Sequence, residues 1–176
     1  MMQAFSLAVM LAFTSPAHAD DSALRAQVLD LLSGYEETPT ATELQKLGAG
    51  VDTELVAIAS DSSVGRARRA NATWSLGFFP TESTRGFLVA LVEDPSADSQ
   101  LRRSATWALC NGWGDGALDA VKPALAASDV QLRNQAVRAV AKVGTPAARS
   151  VLEARLATES SAMVRDAIAQ SLGEAK

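Results

Sequence analysis

The segment Arg69-Ala-Asn-Ala-Thr-Trp-Ser-Leu76 returns 33 positions later as Arg102-Arg-Ser-Ala-Thr-Trp-Ala-Leu109. Looser copies follow at Arg133-Asn-Gln-Ala-Val-Arg-Ala-Val140 and Arg165-Asp-Ala-Ile-Ala-Gln-Ser-Leu172. The shared frame is an arginine, two residues, a small or branched apolar residue, three residues, then Leu or Val. A period of 31 to 33 residues means that one supersecondary unit is stacked on copies of itself, because a single unit of that size cannot cover its own apolar face.

Each frame segment reads as a helix. At about 100° per residue, Arg69, Ala72, Thr73 and Leu76 share one side, while Asn71 and Trp74 share the other. The first side is predicted to be packed. Ala72, Ala105 and Ala136 let neighbouring helices approach, and Leu76, Leu109, Val140 and Leu172 fill the layer between units. Ahead of each frame lies a second apolar stripe: Leu55, Val56 and Ile58; Phe87, Leu88, Leu91 and Val92; Leu118, Val121 and Leu125; Val151, Leu152 and Leu156. Short polar turns separate them, and no segment shows strand alternation. The expected fold is therefore all-α, an α-solenoid of about five antiparallel helix pairs. Its repeats fall at about 51–78, 79–112, 113–144 and 145–176, after an atypical capping pair at 20–50.

Local signals refine this plan. Thr40-Ala-Thr-Glu43 is a capping box, and Thr145-Pro146 places proline at a first helical position, where its missing N–H costs nothing. Pro123, by contrast, falls inside a predicted helix and should kink it near Ala120. Asp98 stands four residues ahead of Arg102, and Asp129 four ahead of Arg133. Each carboxylate is expected to cap its helix while facing the guanidinium one turn on.

Residues 1–19 stand apart. The run Ala4-Phe-Ser-Leu-Ala-Val-Met-Leu-Ala-Phe13 has the length of a signal-peptide core, and Ala17-His-Ala19 supplies the small-x-small cleavage pattern, although no Lys or Arg precedes the run. Read as a leader, it directs the protein to the periplasm or the exterior and removes His18, the only histidine. The single cysteine, Cys110, forms no internal disulfide and builds no zinc site alone. Neither a metal nor a cofactor is expected, and no membrane insertion follows cleavage. The net charge of −4 argues against general nucleic-acid affinity.

Paired helices at this spacing, with Asp129-Val-Gln-Leu-Arg133-Asn-Gln-Ala136 entering a second helix, resemble the HEAT-like repeats of the bacterial type first described in phycobilin lyases. The resemblance is strong over Val51 to Lys176 and weak over Asp20 to Gly50. It implies a right-handed superhelix whose second helices line the concave side, kinked first helices on the convex side, and binding of proteins or peptides in the groove. A lyase role transfers poorly to an exported chain.

The position two residues after the frame's small residue is Trp74, Trp107, Arg138 and Gln170 in successive units. A core site would not accept Trp, Arg and Gln in turn, so the row reads as solvent-facing, and exposed aromatics with arginines are what interface hot spots look like. The competing reading lays each indole across the next helix as packing. Arg68 and Arg103 could border the same groove with Arg138 and grip carboxylates by two-pronged hydrogen bonds, or belong to an ordinary solvated face. Trp113 reads as cover for the solenoid edge, and Cys110 as a small buried apolar residue. No nucleophile-base pair or phosphate loop is visible. The expected role is a non-catalytic binder of a protein or peptide, monomeric or within a hetero-complex; the rivals are a chromophore-handling lyase of the same fold and a structural module of an envelope assembly.

Overall fold

The computed structural model describes residues 16–34 and 38–174. These form ten helices: α1 (Pro16–Leu31), α2 (Ala41–Gln45), α3 (Val51–Ser60), α4 (Arg66–Ser75), α5 (Glu82–Glu93), α6 (Ser99–Trp113), α7 (Lys122–Leu125), α8 (Val130–Val143), α9 (Pro146–Leu156) and α10 (Ala162–Glu174). No strand occurs among the described residues. The apolar run of the predicted leader lies outside them, and α1 begins four residues ahead of the expected cleavage point.

The helices stack in two layers. The second helix of each pair packs on the next, α4 on α6, α6 on α8 and α8 on α10, while α3, α5 and α7 line up behind them. The frame residues lie between. Ala72, Ala105, Ala136, Leu76, Leu109 and Val140 are all completely buried. Val164 and Ile168 extend the same core into α10. Two glycines set the closest approach: a Cβ on Gly77 would lie 2.8 Å from the Ala108 carbonyl oxygen, and one on Gly112 would lie 3.0 Å from that of Gly77. Only hydrogen fits at Gly77, and a methyl at Gly112 would need the Gly77 backbone to give by a few tenths of an ångström.

The repeated arginine has a structural reason that its spacing alone does not reveal. Arg69 Nε donates to the Ala59 carbonyl (3.0 Å), and Arg102 Nη2 donates to that of Val92 (2.9 Å). Arg133 Nη1 donates to the Ala127 and Ser128 carbonyls (2.8 and 3.0 Å), and Arg165 Nη1 to those of Leu156 and Glu159 (3.5 and 3.3 Å). Each frame arginine thus reaches back to the C-terminal end of the first helix of its own pair. There the last carbonyls lack intrahelical partners and the helix dipole is negative, so a guanidinium satisfies both.

The expected pairing with aspartate is corrected accordingly. Asp98 and Asp129 do cap their helices, accepting from the N–H groups of Gln100 and Gln131 at 2.8 Å. Asp98, however, faces Arg66 at 3.7 Å, and Arg133 pairs with Glu159. The arginines turn toward carbonyl ends that need donors, leaving the aspartates to the N-termini. In the first repeat Gly65 stands in the capping place and offers no side chain.

Pro123 also behaves differently from expectation. Instead of bending a continuous helix, it starts one: Gly114–Ala117 forms a 3-10 turn, and α7 begins at Lys122 with proline in its first two positions. The Asp119 carbonyl, which a residue at 123 would have used in a continuous helix, accepts from Lys122 N instead (3.3 Å). Broken there, the segment avoids the cost of a buried unpaired carbonyl.

The capping unit is held by charge. Arg25 donates to Glu54 Oε1 (2.7 Å) and Asp61 Oδ2 (2.6 Å), tying α1 to α3 and to the turn beyond it. Both halves of the Thr40–Glu43 capping box are present, and a second reciprocal box, Thr81–Thr84, starts α5. Thr145 caps α9 with Pro146 at its first position.

Candidate functional site

The second helices present one flank to solvent, and its chemistry follows from which residues the frame leaves unused. With the columns through Ala72 and Leu76 committed to packing, the outward rows are Asn71, Ser104 and Gln135, then Trp74, Trp107, Arg138 and Gln170. Trp74 and Trp107 are half-buried; Arg138 and Gln170 are exposed. Each tryptophan is partly packed and partly exposed. Trp74 packs edge-on against Phe78 with ring centres 5.1 Å apart, and Lys142 Nζ sits 5.6 Å from the centre of the Trp107 ring. The remaining indole surface is open.

Trp74, Arg103, Ser104, Trp107 and Gln135 line one hollow of about 280 Å³. It spans three successive second helices. Trp107 also borders a neighbouring hollow of about 230 Å³ with Cys110, Asn111, Ala139 and Lys142. Lys142 in turn borders a larger one of about 530 Å³ that reaches Thr145, Arg149, Leu152 and Leu172. Trp107 and Lys142 are each shared by two of these depressions, which follow one another as a track from α4 to α10.

The five residues singled out from sequence therefore divide. The structure brings Trp74, Trp107 and Arg103 to one hollow. Arg138 lies exposed in the same row but outside its lining, and Arg68 is exposed with Nε on Ser33 Oγ (3.1 Å), engaged by the end of the capping unit. Sequence reasoning missed Ser104, Gln135 and Lys142. Their signal was available in part, since Lys142 follows Arg138 by one turn. Trp113 closes α6 and packs half-buried against the core, and Cys110 is buried, its thiol pushed up to about 12 by loss of solvation.

Charge is distributed unevenly around this track. Helices α4, α6 and α8 carry Arg66, Arg68, Arg69, Arg102, Arg103, Arg133, Arg138 and Lys142, and not one acidic residue. The chain as a whole has 20 acidic and 16 basic residues. Carboxylates lie on the other helices, Asp166 of α10 among them, and in the turns, where Ser63 and Ser96 donate to Asp61 and Asp94 and hold those carboxyls below their usual range.

At the far end stands a buried network. Arg133 Nε and Nη2 donate to the two carboxylate oxygens of Glu159, both at 2.9 Å, and Arg155 adds a third charged donor at 2.5 Å. Ser161 N donates to Oε1 at 2.8 Å. These donors, Arg133 first, hold the Glu159 carboxyl at about 2. Every oxygen is satisfied, so the cluster reads as a structural tie between the last two repeats.

Residues 96–173 match the family model of HEAT repeats. These residues carry HEAT repeats, and the described helices stack as an all-α solenoid of that kind. The match runs from the turn before α6 to the end of α10. The preceding pair α3–α4 repeats the same arginine-to-carbonyl contact and the same alanine–leucine packing. The match is to HEAT repeats in general; the likeness to the phycobilin-lyase branch remains one of sequence pattern. Among curated proteins, none matches the chain. HEAT repeats generally mediate protein interactions. No group of His, Cys, Asp or Glu among the described residues is arranged to hold a metal, and no described helix is long and apolar enough to cross a membrane.

Proposed function

We propose that this protein is an exported, non-catalytic scaffold that binds a protein or peptide along the solvent-facing flank of its second helices. The observation that carries the reading is the hollow shared by Trp74, Trp107 and Arg103. Two large aromatics, each half-buried, line it together with an arginine. Rigid, partly exposed Trp and Arg residues at the centre of a concave patch are what binding energy concentrates on. The repeat architecture adds length, because each further pair extends the surface by one helix.

One feature supports binding over covalent chemistry. Cys110, the one thiol, is buried and hard to ionise, which suits packing and not attachment of a pigment. Export rests on the apolar run and cleavage triplet at residues 4–19, and a monomer or one member of a hetero-complex is the form proposed.

The test is selection of short random peptides displayed on phage against the protein, followed by rebinding to a Trp74→Ala, Trp107→Ala double variant. Selected peptides should lose at least tenfold in affinity on the variant while its circular dichroism spectrum stays helical. Peptides that rebind the folded variant undiminished would place the binding surface elsewhere.

A further inference from the structure

The track has a sign, and the sign identifies the kind of segment it accepts. The frame arginines Arg69, Arg102, Arg133 and Arg165 are occupied by carbonyl ends, and Arg66 lies near Asp98. Arg103, Arg138 and Lys142 form no ion pair among the described residues. All three stand on α6 and α8: Arg103 and Lys142 border hollows that Trp107 lines, Arg138 precedes Lys142 by one turn, and α4, α6 and α8 carry no carboxylate, the nearest second-helix acid being Asp166 on α10. On a protein of net charge −4, this is a cationic strip.

We propose that the occupant of the second-helix flank is an acidic peptide segment. An apolar side chain enters the hollow between Trp74 and Trp107, and carboxylates meet Arg103, Arg138 and Lys142. This rests on the scaffold reading above and narrows it to one chemistry. The hollow of about 280 Å³ lies below the ~300–1,000 Å³ of pockets that enclose whole small molecules, so it suits one side chain of a longer ligand. Packed helices lie about 8–10 Å apart, and an extended chain advances about 3.3 Å per residue. One step from α6 to α8 therefore takes about three residues. The matching segment carries an aromatic or aliphatic residue with an acidic residue about three positions away. A nucleic acid fits less well: three cations release few counterions, and a net charge of −4 disfavours a polyanion.

The pool of displayed peptides selected on the full chain provides the test, set against a pool selected on an Arg138→Glu, Lys142→Glu variant. Both side chains are exposed and outside the ion pairs that hold the fold, and circular dichroism checks that the variant is helical. The wild-type pool should be enriched in Asp and Glu near an apolar residue. Its peptides should bind the variant at least tenfold more weakly, and the variant's own pool should shift toward Lys and Arg. Binding should also weaken as salt rises from about 50 to about 200 mM. A wild-type pool that is neutral or basic, yet loses binding on the Trp74→Ala, Trp107→Ala variant, overturns the acidic assignment and leaves the scaffold intact. A pool indifferent to the tryptophans overturns both. A short single-stranded oligonucleotide that competes with the acidic peptides at equal concentration replaces the peptide by nucleic acid.

Discussion

Replacing Glu159 by glutamine removes one negative charge from a site where two guanidiniums converge. The Glu159 side chain is fully buried and that of Arg133 is 9% exposed, so bulk water cannot take over the lost partnership; Arg155, at 20%, is better placed to recover. Leaving one member of such a pair buried and uncompensated costs about 3–5 kcal/mol, with the lower end expected here because Arg133 keeps its bonds to the Ala127 and Ser128 carbonyls. For a chain of this size about 1 kcal/mol corresponds to roughly 2–4 °C, so Tm should fall by roughly 10 °C at pH 7. Acid gives a second handle. The carboxyl sits at about 2 when folded against an ordinary value of 4.5, so it is depressed. Its contribution is complete above pH 4.5 and is lost as the pH falls toward 2. Thermal unfolding followed by circular dichroism should therefore show the wild type and Glu159→Gln separated at pH 7 and converging across that window. Equal Tm values at pH 7, or a gap that persists unchanged to pH 2, would refute the assignment of this network as the tie between the last two repeats. The exposed Arg149–Glu153 pair is the control, since its loss should cost at most about 0.5 kcal/mol.

Three further outcomes are expected. Gly77→Ala should destabilise by about 1–3 kcal/mol in urea titration, because the new methyl meets the Ala108 backbone at 2.8 Å. Pro123→Ala should change stability by less than about 1 kcal/mol, since the proline starts α7 and displaces no helical hydrogen bond; a large gain on substitution would restore the kinked-helix picture. Cys110 should resist a thiol reagent at pH 8 in the native protein and react at once in guanidinium, its labelling rate following unfolding.

The repeat made the fold legible. A period of about 32 residues with small residues and leucines in fixed places specifies stacked helix pairs, and Ala72, Ala105, Leu76 and Leu109 sit in the core as the helical wheel places them. What escaped were interactions whose partners lie at no fixed spacing. Arg133 meets Glu159 across 26 residues, and only the stacking brings them together; from sequence, Asp129 one turn away was the natural partner. Pro123 was misplaced for a related reason. The apolar stripe Leu118, Val121 and Leu125 continues through a 3-10 turn and a new helix as smoothly as through one helix, so periodicity alone does not register the break. In the candidate site, the tryptophans were found because they break the pattern of their row, and Lys142 was missed because a lysine near a helix end looks like any solvated lysine.

The division of labour within each repeat explains why the conserved-looking and the informative residues differ. The frame arginine recurs because every first helix ends in carbonyls that need a donor, and the same solution serves each copy. Repetition there reports a structural need and carries no information about a ligand. The outward rows are under no such demand, so Trp74, Trp107, Arg138 and Gln170 differ from copy to copy, and the differences are free to encode a surface. The same separation accounts for the charge. Acidic residues favour helix N-termini and turns, where Asp98, Asp129, Asp61 and Asp94 accept backbone N–H groups. Once those places are filled, a chain that is acidic overall still shows α4, α6 and α8 as a positive face. Net charge therefore describes the average of two unlike surfaces.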